Sequence, residues 1–481
     1  MTLRSAAAYL AGLHDGRAVY SQGSRVEDVV AHELLGPAAR HAAIEFDLAA
    51  DPNHRSLAVI EAGPDAYSAY YRLPLTPADL SARSRLIQVG TAAGGTLVLL
   101  VKEIGTDAIF GLTRVLARAH DDKGLARVRA FHELCRDGDL ALAVAQTDAK
   151  GDRTKSPMEQ ADPDLYVHVV DRRTDGIVVR GAKLHTSCAP YVDEVIVLPG
   201  RSLSSADSDY GVAFAVPVAT PGLSLYASSF LPPPDDTFIH PVSARHRMME
   251  TLTVFDDVFV PNERVFFVDR PDLAGPTAEA FVEHHRFTAV SYKLPLLDAL
   301  LGASFAIAEA NGIQRASHVR DKLTWIIGYV ESVRALLAAS ADRADVDQGI
   351  AVPDALLTNL AQWTFARDYH ELLEIVQDLS GGLLVTGPSG ADWHDQQTRA
   401  VLQKYLGGAT STEVRLSLLN LIADLTTGAF GGYQAVLAIH AEGSLEAEKL
   451  AIRRAFDPGP AVALVTALAT HGGTVPPPAT V

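Results

Sequence analysis

Cysteine is almost missing from this chain: Cys135 and Cys188 are the only two in 481 residues. That scarcity excludes a disulfide framework and any site needing three or more thiolates from one chain. It also makes a reducing cytoplasm the expected setting. Basic runs are missing too. With 41 Lys and Arg against 58 Asp and Glu, the formal charge is −17, which disfavours a nucleic-acid or anionic-membrane surface. No uncharged apolar run reaches the roughly 18 residues of a membrane span. The Ala-rich N-terminal stretch is broken by His14, Asp15 and Arg17, so it lacks the apolar core of a signal peptide. No internal repeat is present. "GTAAGG", residues 90–95, sits in a helix-like pattern rather than after a strand, which makes it a poor phosphate loop.

What is present is an ordinary globular composition, 48% apolar and 21% charged, with length for two or three domains. Residues 1–140 read mainly as helix, with Thr76 as an N-cap before Pro77 and two helical segments split by Gly36-Pro37. Residues 141–272 change to period two. "LYVHVV" and "GIVVRGAKL" alternate around an Asp-Gly turn and predict a hairpin, and further β-branched runs follow to "TLTVFDDVFVPNERVFFV". Residues 273–456 return to long amphipathic helices, one of which opens near Pro353 and closes at Gly381-Gly382. Residues 457–481, ending "GGTVPPPATV", read as a flexible tail. Helical domain, β-barrel-like domain, helical bundle: this α+β order resembles that of the acyl-CoA dehydrogenase-like flavoproteins.

Motifs narrow the reading. "YLAGLHDGRAVYSQGSRVEDVVAH", "TDAKGDR", "DPDLYVHVV", "DGIVVRGAKLHTS", "VFDDVFVPNERVF", "ASHVRDKL", "GGLLVTGPSGAD" and "TGAFGGYQ" occur in that order. With them the chain resembles the 4-hydroxyphenylacetate 3-monooxygenase / 4-hydroxybutyryl-CoA dehydratase flavoprotein family over nearly its full length, closest in motifs to the dehydratase branch. The resemblance implies FAD as cofactor. It places Gln146, Thr147, Lys150, Gly151, Asp152 and Arg153, with Thr186 and Ser187, along the flavin. Gly428, Phe430 and Gly431 form a second candidate loop, and Gly381-Gly382 lies toward the nucleotide end. The chemistry agrees: Lys150 and Arg153 offset phosphate charge, and glycine lets backbone N–H groups approach a cofactor. A homotetramer or homodimer is the expected assembly.

The dehydratase branch also carries an iron–sulfur cluster held by three Cys and one His. Those positions fall here on Leu99, Glu103, His285 and Tyr292, so only the histidine remains, and thiolates are what such clusters need. No metal site is expected. Glu250 matches the branch's active-site glutamate, 35 residues before His285, while its active-site tyrosine has become Ala289 and its late acidic residue falls near Val436. The phenol-binding Arg, Tyr and His of the hydroxylase branch fall on Lys102, Thr106 and Val144. The candidate catalytic residues are therefore Glu250 and His285, with Lys102 and His185.

The function expected is the oxygenase component of a two-component system. A transient flavin reductase would supply FADH2, and molecular oxygen and a small aromatic or carrier/CoA-linked molecule would be its substrates. The alternatives are a cluster-free FAD-dependent acyl-CoA dehydratase or isomerase, and a non-catalytic assembly protein on a flavoprotein scaffold. Neither nucleic acid nor membrane is an expected partner.

Overall fold

The computed structural model describes residues 3–62, 65–228 and 235–470. The N-terminal region is largely helical, and its best-marked start holds. Thr76 Oγ1 accepts from the Asp79 N–H while the Asp79 carboxylate takes the Thr76 N–H, a reciprocal cap that opens the helix Pro77–Ala93. Gly36-Pro37 does not split two helices. It lies in the first turn of a single helix, Leu35–Ala50, where a proline's missing N–H would have no partner anyway. The region also holds strands, which were not foreseen: β1 (Ala18–Ser21), β2 (Ser24–Val26) and a hairpin of β3 (Val59–Ala62) with β4 (Asp65–Ser68). At three or four residues each, they are too short to show a period.

The helix-like pattern that includes residues 90–95 does not continue unbroken. Its first part ends at Gly94, and the chain becomes helical again only over Glu103–Arg118. Gly95 takes φ +63 with its α-carbon against His246, where an added Cβ would lie 2.4 Å from the imidazole. Thr96 and Leu100 are also left-handed, at φ 75 and 64, a conformation non-glycine residues adopt only where the surroundings impose it. This kinked segment becomes one wall of the central cavity.

The β region supplies β5 (Leu142–Ala145), β6 (His168–Arg172), β7 (Gly176–Lys183), β8 (Glu194–Val197), β9 (Ala213–Pro217), β10 (Leu223–Ala227), β11 (Thr251–Pro261) and β12 (Val265–Phe267). They form two sheets, ordered β2-β1-β10-β11-β7-β6 and β12-β9-β8-β5. The β6–β7 hairpin is the antiparallel pair expected from "LYVHVV" and "GIVVRGAKL". β1 joins the larger sheet parallel to β10, tying the N-terminal segment to the β module. β5 and β8 are parallel and buried along their whole length, as their continuous apolar runs require.

The C-terminal bundle is built on the helices Pro271–Ala310, Ser317–Asp342 and Ala355–Ser380. Gly381 ends the last of these at φ 75, the left-handed stop its sequence suggested. The first is long and apolar enough by composition to cross a membrane, but 56% of its most apolar window is buried in the protein, as in a core helix. Within the expected tail, Gly459–Thr470 is helical, and "GGTVPPPATV" lies outside the described residues.

Gly181 fixes the end of β7 that leads to the cavity. It holds φ +127, and a Cβ there would lie 2.3 Å from the Tyr166 carbonyl oxygen. Gly181→Ala is expected to cost about 2 kcal/mol or more, read as a lowered urea midpoint with unchanged slope.

Candidate functional site

One cavity of about 800 Å³ lies where the β module, the kinked segment 96–100 and the C-terminal helices meet. Its floor is set by a buried lysine. Lys183, the last residue of β7, donates from Nζ to Asp148 Oδ1 at 2.5 Å, Leu198 O at 2.8 Å and Gln146 O at 3.0 Å. With the Leu184 N–H on Thr147 O at 2.8 Å, this staples the loop after β5 to the end of β7 and turns Gln146 and Thr147 to the cavity. Lys150 and Arg153 stand further along the same loop, on the cavity's exposed rim.

After β7 the chain turns through two left-handed residues, His185 at φ 54 and Cys188 at φ 66. Between them the two small residues point opposite ways. Thr186 is fully buried. It exchanges backbone hydrogen bonds with Thr251 at 3.1 and 3.2 Å and accepts from Thr253 Oγ1 at 2.9 Å. Ser187 faces the cavity, and its hydroxyl donates to the Glu250 carboxylate at 2.8 and 3.0 Å. Tyr433 donates to Glu250 Oε1 at 3.2 Å. Burial pushes the Glu250 carboxyl up to about 7, against the opposing pull of these two hydroxyls.

A second unit faces the cavity from the bundle. His285 stacks on Phe281, centroids 4.9 Å apart, and its Nδ1 lies 3.3 Å from Asp107 Oδ2. Asp107 is itself fully buried and is held by Arg83 at 2.8 Å and Thr288 Oγ1 at 3.1 Å. Burial alone would raise its carboxyl; the Arg83 guanidinium and the His285 hydrogen bond keep it below the ordinary value. With Nδ1 engaged by Asp107, Nε2 is the nitrogen left for the cavity.

At the far end, Lys293 Nζ donates to Glu442 Oε2 at 2.7 Å and Gln362 Oε1 at 2.9 Å. Tyr292 donates to the other oxygen of Glu442. Burial draws the Lys293 ammonium down to about 7 and raises the Glu442 carboxyl.

Of the residues singled out in the sequence, Gln146, Thr147, Lys150, Arg153, His185, Ser187, Glu250 and His285 thus line one cavity. The others do not. Lys102 is buried elsewhere, its Nζ 2.6 Å from Asp139 Oδ1 and 4.1 Å from the Phe46 ring centroid, and it does not line the cavity. Thr186 is absorbed by the strand network. Gly151, at φ 50, packs under Gln160, and the Asp152 carboxylate accepts from Thr154 in its own turn. Gly428 precedes the helix Ala429–His440, Gly431 lets that helix approach residues 425–426, and Phe430 is buried in the core. These three seat the helix whose next turn delivers Tyr433. Gly381 and Gly382 are exposed.

Asp107, Tyr433, Lys293 and Glu442 were not singled out from the sequence. Tyr433 closes the quoted "TGAFGGY" and was within reach. Glu442 lies six residues beyond Val436, in a left-handed turn at φ 59 that no periodicity announces. Among the described residues no group of three or more His, Cys, Asp and Glu could hold a metal ion.

Comparison with known proteins decides the family. The profile "4-hydroxyphenylacetate 3-hydroxylase N terminal" matches residues 5–267, and its C-terminal counterpart matches residues 274–470. The chain belongs to the 4-hydroxyphenylacetate 3-hydroxylase family. Among relatives of this family, the 4-hydroxyphenylacetate 3-monooxygenase oxygenase component of Thermus thermophilus is 31% identical, with 86% of each chain covered. The 4-hydroxybutyryl-CoA dehydratase/vinylacetyl-CoA-Δ-isomerase of Clostridium aminobutyricum is 29% identical, covering 91% of this chain and 93% of its own. A 4-hydroxyphenylacetate 3-monooxygenase oxygenase component solved with FAD and 4-hydroxyphenylacetate superposes with a TM-score of 0.90 at 28% identity, covering 98% of this chain and 99% of its own. An archaeal 4-hydroxybutyryl-CoA dehydratase from N. maritimus gives 0.89 at 26%, covering 99% and 96%. The fold is that of the family, and the similarity is shared between its two branches.

The Glu250 carboxyl titrates near 7 in the folded protein against an ordinary 4.5. A raised acid favours folding most below pH 4.5, and stability then falls as pH rises toward 7. Glu250→Gln is expected to flatten that slope and to gain up to about 3 kcal/mol at pH 8 relative to pH 4.5, measured by urea unfolding at both values.

Proposed function

We propose that this protein is the oxygenase component of a two-component monooxygenase, using FADH2 delivered by a separate reductase to oxygenate a small organic molecule. The observation that carries this reading is the state of the four positions matched to the dehydratase cluster. Leu99 packs in a small apolar core with Tyr70 and Ile87. Glu103 caps its own helix, accepting from the Lys102 N–H at 3.2 Å. Tyr292 is bonded to Glu442, and His285 to Asp107. Each is committed to a protein partner or to packing, and none is a thiolate.

The cavity's donor set fits a flavin. Lys150 and Arg153 on the rim match phosphate charge, Gln146, Thr147 and Ser187 offer side-chain hydrogen bonds along one edge, and the Thr96 hydroxyl, also on the wall, is buried without a partner of its own. When bound there, reduced flavin would supply the electrons that activate oxygen. The chain's own residues do the rest. Leu97, Val98, Leu100, Ile104 and Val144 form a wall that keeps water from the reacting centre. Glu250, poised near 7, takes a proton from a substrate O–H or N–H, with Ser187 and Tyr433 stabilising its charged form. His285, oriented by Asp107, presents Nε2 as a second proton carrier.

A second reading, a cluster-free dehydratase or isomerase, is favoured by one feature. A carboxyl titrating near neutrality beside an apolar wall also suits abstraction of a proton next to a thioester carbonyl.

Two measurements separate these readings. FADH2 mixed with the protein and then with oxygen should reoxidise at least about tenfold more slowly than free FADH2. Isotopically heavy oxygen should enter a product from a panel of hydroxyarenes and amines. Unprotected reoxidation with no label incorporated sinks the oxygenase reading. Protein purified under nitrogen should carry neither stoichiometric iron nor acid-labile sulfide, and recovery of a cluster would refute the ligand argument.

A further inference from the structure

A buried cation on the cavity wall has no carboxylate in contact among the described residues. Arg286 is buried and lines the cavity, yet both of its hydrogen-bond acceptors are neutral oxygens. Nη1 donates to Asn359 Oδ1 at 2.5 Å and Nε to the Glu442 carbonyl at 3.2 Å. Among the described residues Nη2 has no acceptor, and no carboxylate stands at ion-pair distance from the guanidinium. Buried arginines elsewhere bring a carboxylate with them: Arg17 meets Asp15 at 2.7 Å, Arg83 meets Asp107 at 2.8 Å and Arg114 meets Glu283 at 2.7 Å. Burying a guanidinium without one is costly, and an anion from outside the chain would lift that cost.

The neighbouring charges do not fill the gap. Lys293 takes the Glu442 carboxylate at 2.7 Å. Glu448 is buried with neither carboxylate oxygen hydrogen-bonded. Burial raises its acid, opposed at longer range by Lys293 and Arg286. The turn beside Arg286 keeps space open instead. Gly443 holds φ +119, and a Cβ there would lie 2.9 Å from Arg286 Nη2, so glycine both adopts this backbone and leaves that nitrogen uncovered. His440 and Ser444 flank the turn and line the cavity as well, which adds polar groups to the same end. His185 is a different case: burial, reinforced by the Lys150 ammonium, disfavours its charged form. Lys150 and Arg153 on the rim are assigned to the flavin phosphates.

We propose that Arg286 anchors the anionic end of the substrate, an oxyanion of the carboxylate or phosphate kind received on Nη2 beside Gly443, while the reacting O–H or N–H is directed to Glu250. A guanidinium matches such oxyanions in shape as well as charge. Arg286 and Glu250 line the same cavity, so recognition and proton transfer fall to separate residues. The positions matched to the phenolate-binding residues of the hydroxylase branch bring no cation here. Lys102 is held by Asp139, Thr106 donates to the Lys102 carbonyl inside its own helix, and Val144 is apolar. The inference rests on the proposed function for the flavin's place along the Gln146–Arg153 side and for Glu250 as the proton-taking group.

The test uses the full-length protein loaded with oxidised FAD, titrated at pH 8 with matched probes and read by calorimetry. The probes are 4-hydroxyphenylacetate and 4-hydroxybutyrate, the amide of each, and the alkyl phosphate of tyrosol with tyrosol itself. An anionic probe is expected to bind at least about tenfold more tightly than its neutral partner, about 1.4 kcal/mol, and which pair shows the gap names the oxyanion. Arg286→Gln should erase the gap with FAD affinity kept, and Arg286→Lys should restore part of it. Gly443→Ala, which leaves the guanidinium in place, should weaken the anionic probe and spare its neutral partner. Equal affinity within every pair, or a panel that does not bind, overturns the proposal. So does a gap unchanged in Arg286→Gln, or in Gly443→Ala where Arg286→Gln does not fold. Loss of FAD from an Arg286→Gln variant that still unfolds cooperatively also overturns it, because the anion would then be the cofactor's own phosphate. The proposal and the reading beneath it fail differently. An anchor found on protein that leaves FADH2 unprotected from oxygen sinks only the oxygenase reading, and no anchor on protein that protects FADH2 sinks only the anchor.

Discussion

The ammonium of Lys183 is the contact on which the site's geometry depends. A lysine buried at the end of a strand would be costly alone, and here it is offset by one carboxylate and two carbonyls that come from two other segments. Because those acceptors belong to the loop after β5 (Gln146 and Asp148) and to the end of β8 (Leu198), the interaction fixes how two sheets meet. The two left-handed residues that follow, His185 and Cys188, then divide Thr186 and Ser187 between structure and cavity. Holding that turn requires the Thr186–Thr251–Thr253 hydrogen bonds behind it, so the cavity-facing Ser187 is only as well placed as the buried threonines allow.

The same economy governs the bundle side. Two proton-carrying groups are presented to one cavity: Glu250 is held by the cavity-facing hydroxyls of Ser187 and Tyr433, and His285 by Asp107, and through it Arg83, behind the wall. The contrast between them is electrostatic. Asp107 has a guanidinium at 2.8 Å and stays ionised despite complete burial, whereas Glu250 has hydroxyls only and drifts toward neutrality. Environment, not residue type, gives two carboxyls opposite behaviour.

Two of the positions matched to cluster ligands, His285 and Tyr292, are held here by protein carboxylates. Tyr292 and Lys293 reach across to Glu442, and the turn carrying Glu442 is folded back over the cavity's end by the Arg286 hydrogen bond to its carbonyl.

Read without coordinates, the chain declares its helix–β–helix order, the β6–β7 hairpin, the Thr76 cap and the stop at Gly381, because periodicity and capping are local. It also declares, through two cysteines alone, that one chain cannot supply three thiolates to a site. Motif order was enough to collect eight of the site residues into one neighbourhood. Lys102 shows where that reasoning ends: the resemblance put it among the catalytic candidates, but its side chain is buried in the pair with Asp139. Asp107 lies 178 residues from its partner His285, Tyr433 183 from Glu250, and Glu442 150 from Tyr292. Contacts of that range are set by how helices and sheets pack, and packing is a property of the folded whole that no local pattern encodes.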